Sequence, residues 1–259
     1  MSLLPTRMVA KPWGREALPP PFTAPPGEKV GEVWFEPPAD FDRLLVKYLF
    51  TSEKLSIQNH PGGPGGKEEC WLVIGADPGA ALGIGFREQI GTEALRAAAL
   101  DGSIENLLAW HPVRAGDFFY IPAGTVHAIG AGVSLIEVQQ NNDVTYRLSD
   151  YGRPRELHLE EAVSVAVGAP HPAGLRRHLP HTGSIALADG PWFRLDRIEG
   201  APSAEIGARY AGPLLVIPRL GTVLVDGEPV VPGQCAVASS LAAAKLPQRG
   251  QALIAQPCT

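Results

Sequence analysis

Three short segments of the sequence carry residue types that could do chemistry together. In Leu55-Ser-Ile-Gln-Asn-His-Pro61, Gln58 and His60 are two residues apart, so on a β-strand their side chains would leave the same face. The second segment, Gly66-Lys-Glu-Glu-Cys-Trp71, offers two adjacent carboxylates just before an apolar run, and the third, Gly116 to His127, ends in a histidine after a Pro-x-Gly turn. Two imidazoles, a carboxylate and an amide oxygen suit a divalent cation such as zinc, with a position left for water or substrate.

Spacing alone does not show that these side chains converge, and each histidine has a plainer explanation. A single histidine is more often a partly buried residue that is hydrogen-bonded to the backbone than a metal ligand. The combined pattern, Gln-x-His-Pro followed by Gly-x5-Pro-x-Gly-x2-His, is much harder to explain in that way. We therefore interpret the set as a candidate metal site.

The elements that must position these residues are predicted to be mainly β-strands. The 29 glycines and 26 prolines stand between short β-rich runs, which is typical of many strands joined by tight turns. This spacing indicates an antiparallel sandwich or barrel. The predicted strands include residues 44–50, 71–74, 117–121, 133–138, 192–198, 213–217 and 222–225.

A small helical insertion around 92–110 interrupts the strand pattern. Thr92 can cap a run of strong helix formers that ends at Leu100, and a second short helix can follow Gly102 over residues 103–110. Residues 156–167 are a weaker helical candidate.

The sequence divides into two predicted units. A larger unit at 1–168 carries the candidate metal site, residues 169–182 form a linker rich in Pro, Gly and His, and a smaller β unit occupies 183–259. The smaller unit has no histidine, so a second histidine-bearing metal site is not expected there. Three histidines of the linker are expected to face solvent: His171, His178 and His181.

Composition excludes several classes of function. The chain has 259 residues, 45% of them apolar, and its 22 Lys and Arg against 27 Asp and Glu give a net charge of −5 without a basic stripe. Nucleic-acid binding is therefore not expected. No apolar run approaches the ~18 residues of a membrane helix, and the first residues lack a signal-like apolar segment. Three cysteines without CxxC spacing predict no disulfide framework, and the expected location is the cytoplasm.

The candidate segments belong to a longer series of motifs that resembles class I mannose-6-phosphate isomerases (phosphomannose isomerases) of the cupin superfamily. The resemblance covers roughly residues 10–160 in order, so coincidence is a poor explanation. Its motifs are Lys11-Pro-Trp-Gly14, Gly31-Glu-Val-Trp34, Leu44-Leu-Val-Lys47, Leu55 to Pro61, Lys67-x-Glu-x-Trp71, Gly116 to Gly130 and Glu137-Val-Gln-Gln-x-x-Asp-x-Thr-Tyr-Arg147.

The resemblance implies a fold, a metal and a reaction. The fold would be an all-β cupin-type barrel or jelly roll with a small helical insertion, followed by a smaller, degenerate cupin-like β unit. One zinc ion per chain would be bound, and mannose 6-phosphate and fructose 6-phosphate would be interconverted through an enediol. Glu69, not Glu68, occupies the ligand position of the Lys-x-Glu motif. The implied metal ligands are Gln58, His60, Glu69 and His127.

The resemblance also implies catalytic and phosphate-binding residues. Glu137 and Arg147 would line the substrate pocket, Lys67 would contact substrate or phosphate, and Arg153 is a further phosphate candidate. Each has an alternative. Glu137 could accept a hydrogen bond from a ligand histidine, and Arg147 could pair with Asp143 or Asp150. Lys67 and Arg153 could be solvated surface charges.

The sequence departs from the family between His60 and Glu69, where a glycine-rich turn, Pro61-Gly-Gly-Pro-Gly-Gly66, replaces a longer segment. This leaves the substrate range open and motivates one alternative, a sugar-sensing metal cupin that has lost turnover. Intact Glu137 and Arg147 argue against it. A cupin oxygenase is disfavoured by Gln58, since such enzymes more often present His-x-His. The expected partner is a small sugar phosphate, and the protein is expected to be a monomer or homodimer.

Overall fold

The computed structural model describes residues 2–258, and most of its regular elements are strands. The strands, numbered β1 to β21 in chain order, span Ser2–Leu3, Thr6–Arg15, Val30–Phe35, Leu44–Phe50, Ile57–Asn59, Glu69–Ala76, Ala81–Phe86, Leu108–Pro112, Asp117–Ile121, His127–Ile129, Val133–Gln140, Tyr146–Ser149, Arg176–His178, Ile185–Asp189, Phe193–Glu199, Leu214–Leu220, Val223–Val225, Glu228–Val230, Ala236–Ala238, Ala244–Lys245 and Gln251–Pro257. The α-helices, α1 to α4, span Thr92–Asp101, Ile104–Leu107, Leu159–Val165 and Ala204–Ala208. Short 3-10 turns occur at Ala39–Phe41, Ala173–Leu175 and Leu241–Ala243.

Two antiparallel sheets enclose the predicted site. The first has seven strands in the order β13-β9-β6-β11-β4-β3-β2, and the second has five in the order β12-β5-β10-β7-β8. Apolar side chains from both sheets, such as Leu49 and Trp71 of the first and Leu82 and Ile129 of the second, form a common core. This sandwich confirms the predicted mainly β, cupin-type fold class.

A third sheet covers the other face of the seven-stranded sheet. It has six strands in the order β1-β19-β16-β21-β15-β14, and the strands of a three-stranded sheet, β18-β17-β20, lie between β16 and β21 in sequence. Tyr48 and Phe50 of β4 share a core with Phe193 and Leu215 of this third sheet. Strand β4 is therefore buried on both faces, which explains why its sequence is apolar at every position except Lys47 and does not alternate.

The sheets cross the predicted unit boundaries. Strand β1, at the start of the chain, pairs with β19 of the six-stranded sheet. Strand β13, in the predicted linker, pairs with β9 of the seven-stranded sheet. The limits at 168 and 183 stay a prediction.

Helices α1 to α3 cover the outer face of the five-stranded sheet, where Leu95 of α1 and Val163 of α3 share a core with Ile57. Three details differ from the sequence predictions. Gly91, with no side-chain hydrogen bond, occupies the N-cap position expected for Thr92. The second helix ends at Leu107, because the following residues pair with β7 as strand β8. Helix α3 begins at Leu159, not 156.

The expectation that all three linker histidines face solvent is wrong for His171. Its side chain is buried and its Nε2 lies 2.8 Å from the carbonyl oxygen of Tyr120. The reason is that the linker backbone runs against β7, where Phe86 donates a hydrogen bond to the carbonyl of Ala169. His178 and His181 are exposed. Within the described chain, no helix is long and apolar enough to span a membrane.

Candidate active site

Five of the candidate residues line a cleft of about 340 Å³ between the seven-stranded and five-stranded sheets: Gln58, Lys67, Glu69, Glu137 and Arg147. Strand pairing arranges them in rows. In the five-stranded sheet, Gln58 is the register partner of both His127 and Arg147. In the seven-stranded sheet, Glu137 is the register partner of Lys47. Because cross-strand partners project to the same face, each row presents its side chains together.

His60, Glu69 and His127 form one buried cluster. Their ligand-capable atoms all lie within 4.8 Å of one another. Nε2 of His60 lies 3.6 Å from Oε2 of Glu69, and Nε2 of His127 lies 3.5 Å from Oε1 of the same carboxylate. The structure therefore brings together three of the four ligands that the sequence implied.

The hydrogen bonds of the two histidines fix which nitrogen faces the cluster. Nδ1 of His60 lies 2.7 Å from the carbonyl oxygen of Val144, and Nδ1 of His127 lies 2.9 Å from that of Thr125. A carbonyl can only accept, so Nδ1 carries the proton in each ring. Each neutral ring then turns a bare Nε2 lone pair towards Glu69, as histidine ligands of metals do.

Burial keeps both imidazoles neutral. It lowers the pKa of His60 well below its usual value, and the neighbouring Lys67 ammonium lowers it further. Burial also lowers the pKa of His127, although the Glu69 carboxylate opposes this. Two neutral nitrogen donors and one carboxylate close together form a donor set that suits a divalent transition metal, because such metals bind imidazole nitrogens and carboxylate oxygens.

Gln58 lies next to this cluster. Its Nε2 is 3.5 Å from Nε2 of His127, and its Oε1 accepts a hydrogen bond from the Ser56 hydroxyl at 2.8 Å. Turning the amide by half a turn would exchange these two atoms and aim Oε1 at the cluster. The role of Gln58 as a fourth ligand stays a prediction.

Lys67 is a buried cation at the edge of the cluster, not a surface charge. Its Nζ lies 2.8 Å from Oε2 of Glu69, 3.3 Å from Nε2 of His60 and 4.0 Å from Oε1 of Glu137. Burial lowers the pKa of this ammonium, but the carboxylates of Glu69 and Glu137 outweigh the burial and raise it. Lys67 is therefore charged and in contact with two of the candidate metal ligands.

Glu137 is held by two neighbours on its own sheet. Its Oε2 accepts a hydrogen bond from the indole nitrogen of Trp71 at 3.1 Å, and its Oε1 lies 3.2 Å from Nζ of Lys47. Trp71 also packs against the ring of His127, with centroids 5.3 Å apart and planes at 83°. Since both histidines use Nδ1 on backbone carbonyls, Glu137 does not serve as their hydrogen-bond acceptor.

Lys47 is a functional candidate that the sequence reasoning did not single out. It is buried, donates to Oε1 of Gln139 at 2.7 Å and lies 4.5 Å from the centre of the Trp34 ring. Burial lowers its pKa, against the opposing effect of the Glu137 carboxylate. The sequence feature that could have indicated a role for Lys47 is its place inside the otherwise apolar run at 44–50.

Arg147 lines the cleft and makes no ion pair in the part of the chain that the structure describes. Its Nε is buried and has no hydrogen-bond partner within residues 2–258. Asp150, the suggested partner, is bound instead by Arg153 and Arg155, with contacts of 2.7 and 2.5 Å. Arg147 is therefore free to bind an anion.

The structure does not bring Arg153 to the cleft. Its guanidinium bonds to Asp150 and to the carbonyl oxygen of Lys54, 2.8 Å away, and lies over the ring of Tyr151. Arg155 lines the cleft instead. The phosphate-binding role expected of Arg153 stays a prediction without a contact to the cleft.

The glycine-rich segment at 61–66 is a compact turn at this end of the cleft. Lys67 donates its backbone N–H to the carbonyl of Pro61 at 2.9 Å, which closes the turn. Gln140 and Asn142 donate side-chain hydrogen bonds to the carbonyls of Gly63 and Gly65. The short turn, fixed by these hydrogen bonds, therefore places Lys67 and Glu69 at the cleft.

Positive side chains outnumber negative ones around the cleft. Four acidic side chains line it within the described residues: Glu32, Glu69, Glu137 and Asp143. Six basic ones do so: Arg7, Lys11, Lys47, Lys67, Arg147 and Arg155. The excess of positive charge suits an anionic small molecule.

Sequence comparison relates the chain to proteins of known name. It is 44% identical over 187 residues to the mannose-6-phosphate isomerase of Streptococcus mutans, covering 64% of this chain and 58% of that protein. It is 41% identical over 210 residues to mannose-6-phosphate isomerase ManA of Bacillus subtilis, covering 73% and 65%. It is also 35% identical over 220 residues to the Bacillus subtilis protein named "Probable mannose-6-phosphate isomerase GmuF", covering 76% and 69%. The chain thus spans less than two thirds of the length of the first two relatives.

Structural comparison finds the same group of proteins. The crystal structure of the mannose 6-phosphate isomerase from Bacillus subtilis superposes with a TM-score of 0.77 at 24% identity, covering 99% of this chain and 100% of that one. A variant of phosphomannose isomerase from Salmonella typhimurium superposes with a TM-score of 0.71 at 16% identity, covering 99% of both chains. At these identities the likeness is one of fold. No family model matches the chain.

Proposed function

This chain belongs to the mannose-6-phosphate isomerase family, and from that premise we propose that it interconverts mannose 6-phosphate and fructose 6-phosphate. The observation that carries the proposal is the convergence of His60, Glu69 and His127 with Lys67 and Glu137 at one cleft. Aldose–ketose isomerisation moves a proton between adjacent carbons through an enediol. It requires a base and a means of stabilising negative charge on two oxygens.

Zinc is the metal that we propose for the cluster, one ion per chain. His60, Glu69 and His127 would hold it, with Gln58 as the fourth ligand after its amide turns. A bound divalent cation supplies Lewis-acid polarisation of the carbonyl and hydroxyl oxygens of the sugar. The bare Nε2 atoms that face the Glu69 carboxylate support this assignment.

Glu137 is proposed as the base that moves the proton between the two carbons. Its Oε2 accepts from the Trp71 indole and its Oε1 lies 3.2 Å from Nζ of Lys47, so the carboxylate is fixed and a remaining lone pair on it would accept and return the proton. Its position opposite Lys47 keeps the carboxylate directed along the row of side chains in the cleft. A base with a fixed direction can act at both carbons only if the sugar is held still, which requires further contacts.

Lys67 and Arg147 are proposed to stabilise charge on the substrate. The Nζ of Lys67 can donate to a sugar oxygen next to the cluster and is a candidate for phosphate contact as well. The unpaired guanidinium of Arg147 can stabilise the enediolate or hold the phosphate. The alternative of a sugar sensor without turnover gains no support, since all three catalytic candidates are present at the cleft.

A coupled assay tests the proposal directly. Mannose 6-phosphate is supplied to zinc-loaded protein and formation of fructose 6-phosphate is followed, with a chelator-treated sample in parallel. Chelator-sensitive turnover is expected. Absence of turnover in protein with one bound zinc per chain would contradict the proposed reaction.

We also propose a cytoplasmic protein that is a monomer or homodimer. The three cysteines, Cys70, Cys235 and Cys258, are free thiols, which suits a reducing compartment. Cell fractionation and light scattering on the purified protein test the two statements separately.

A further inference from the structure

Arg155 lines the cleft although no family motif quoted above includes it. It lies in the segment after β12, which turns back so that His158 donates its backbone N–H to the carbonyl of Arg147 at 2.8 Å. This turn brings a residue eight positions after Arg147 to the cleft that Arg147 itself lines.

One buried carboxylate fixes the direction of Arg155. Asp150 is 3% exposed and accepts from Nε and Nη2 of Arg155, each at 2.5 Å. This two-point contact is the geometry in which a guanidinium is most firmly oriented. No hydrogen bond from Nη1 of Arg155 occurs within the described residues, so that edge is available to a ligand.

A second guanidinium, that of Arg147, lines the same cleft as Arg155. Burial lowers the pKa of Arg147, and the charge of Arg155 is the next largest cause. Two guanidiniums that line one cleft repel each other, and Asp150 is occupied by Arg153 as well as by Arg155. An anion placed between Arg147 and Arg155 would relieve the repulsion and fill the bonding capacity that both leave unused.

The distance from the metal cluster suits the far end of a hexose phosphate. Arg147 and His127 are both register partners of Gln58, so their strands lie two strand spacings apart, which is about 10 Å. The reacting carbons are at one end of the sugar and the phosphate is at the other. A sugar with its reacting end at His127 would therefore extend its phosphate towards Arg147 and Arg155.

We propose that Arg155, oriented by Asp150 and acting beside Arg147, is the residue that recognises the phosphate of the substrate. The proposal rests on the proposed isomerase function for the identity of the sugar, but not for the binding of phosphate. It also replaces Arg153 in that role, because Arg153 bonds to the same carboxylate without reaching the cleft.

The experiment compares three arginine variants, each of which removes one partner from a buried aspartate. Arg155→Met tests the proposal, and Arg153→Met tests the competing assignment. Arg209→Met is the matched control, because Arg209 makes a similar two-point contact with Asp196 in the C-terminal sheet, at 3.0 and 3.2 Å. For each protein we would measure melting temperature, bound zinc, KM and kcat for mannose 6-phosphate, and the dissociation constant of inorganic phosphate by calorimetry.

Arg155→Met is expected to raise both KM and the phosphate dissociation constant by about 10- to 100-fold, the usual effect of losing a charged hydrogen bond. Zinc content should stay at one per chain, and kcat should change much less than KM. Arg153→Met and Arg209→Met should lower the melting temperature comparably while leaving phosphate binding within about twofold.

Two results would overturn the proposal. One is unchanged phosphate binding in Arg155→Met. The other is an equal loss of phosphate affinity in Arg153→Met, which would mean that both variants act by disturbing the loop around Asp150. Failure of the isomerase proposal would give a different result from failure of the Arg155 proposal. In that case the unaltered protein would not turn over mannose 6-phosphate, yet inorganic phosphate would still bind and Arg155→Met would still weaken it.

Discussion

Lys67→Met should make the stability of the protein strongly dependent on metal. In the metal-free protein, the Lys67 ammonium is the cation in contact with Glu69 and His60, and both it and Glu69 are buried. The methionine side chain fills similar space but leaves the Glu69 carboxylate without a counter-charge. A bound divalent cation would restore that charge, so the variant should gain more from metal than the unaltered protein does.

The magnitude follows from the burial of the pair. Removing one partner of a buried ion pair costs about 3–5 kcal/mol, because an uncompensated charge stays in the interior. For a protein of this size, 1 kcal/mol corresponds to about 2–4 °C in melting temperature. The metal-free variant should therefore melt ~6–20 °C below the metal-free parent. With zinc bound, the gap should close by more than half.

Calorimetric melting of chelator-treated and zinc-loaded samples provides the test. Lys54→Met is the control, since Lys54 pairs with Glu105 at the surface, where such pairs contribute about 0–1 kcal/mol. Zinc should also bind at least as tightly to Lys67→Met, because a competing cation is gone. Equal melting temperatures of the two metal-free proteins, or an identical zinc-induced rise in both, would refute the reasoning.

Three further predictions concern the same cleft. His127→Ala should lose zinc and activity together, and full zinc content by metal analysis would remove His127 from the ligand set. Arg147→Ala should keep its zinc while kcat/KM falls by orders of magnitude, and unchanged kinetics would remove Arg147 from the site. Trp71→Phe keeps an aromatic ring against His127 but deletes the hydrogen bond to Glu137. We expect kcat to fall about tenfold or more with zinc retained. A change in KM alone would contradict the role given to the indole.

For residues on strands, the face to which each side chain projects was predicted well, because side chains alternate between the two faces of a sheet. Gln58 and His60 share a face by their two-residue spacing, and Asn59 between them points the other way, to the carbonyl of Ala162. The strand at 44–50 was predicted with its observed limits. The convergence of His60, Glu69 and His127 was implied by the family motifs, not by spacing, since their strands meet only through tertiary pairing.

Residues in turns and connections were predicted less well. Arg153 and Arg155 differ by two positions, and only the path of the chain between Asp150 and His158 decides which one reaches the cleft. The helical propensity of residues 108–110 was overridden by pairing with β7. Lys47 looked like an interruption of an apolar strand, because its partner Glu137 lies 90 residues away in sequence.

The middle position of the seven-stranded sheet has a consequence for synthesis of the chain. All seven of its strands have emerged from the ribosome once residue 178 is free, and both sheets of the cleft can then form. On the opposite face, Phe22 packs against Tyr48 and Phe50, but the strands that complete the cover lie beyond residue 185 and are made later. The last strand of that cover, β21, ends at Pro257, so a nascent chain with a complete cleft carries an incompletely covered apolar sheet face until β21 has been made. For that interval, chaperones have a broad surface to bind, and crowded nascent chains have one through which to aggregate.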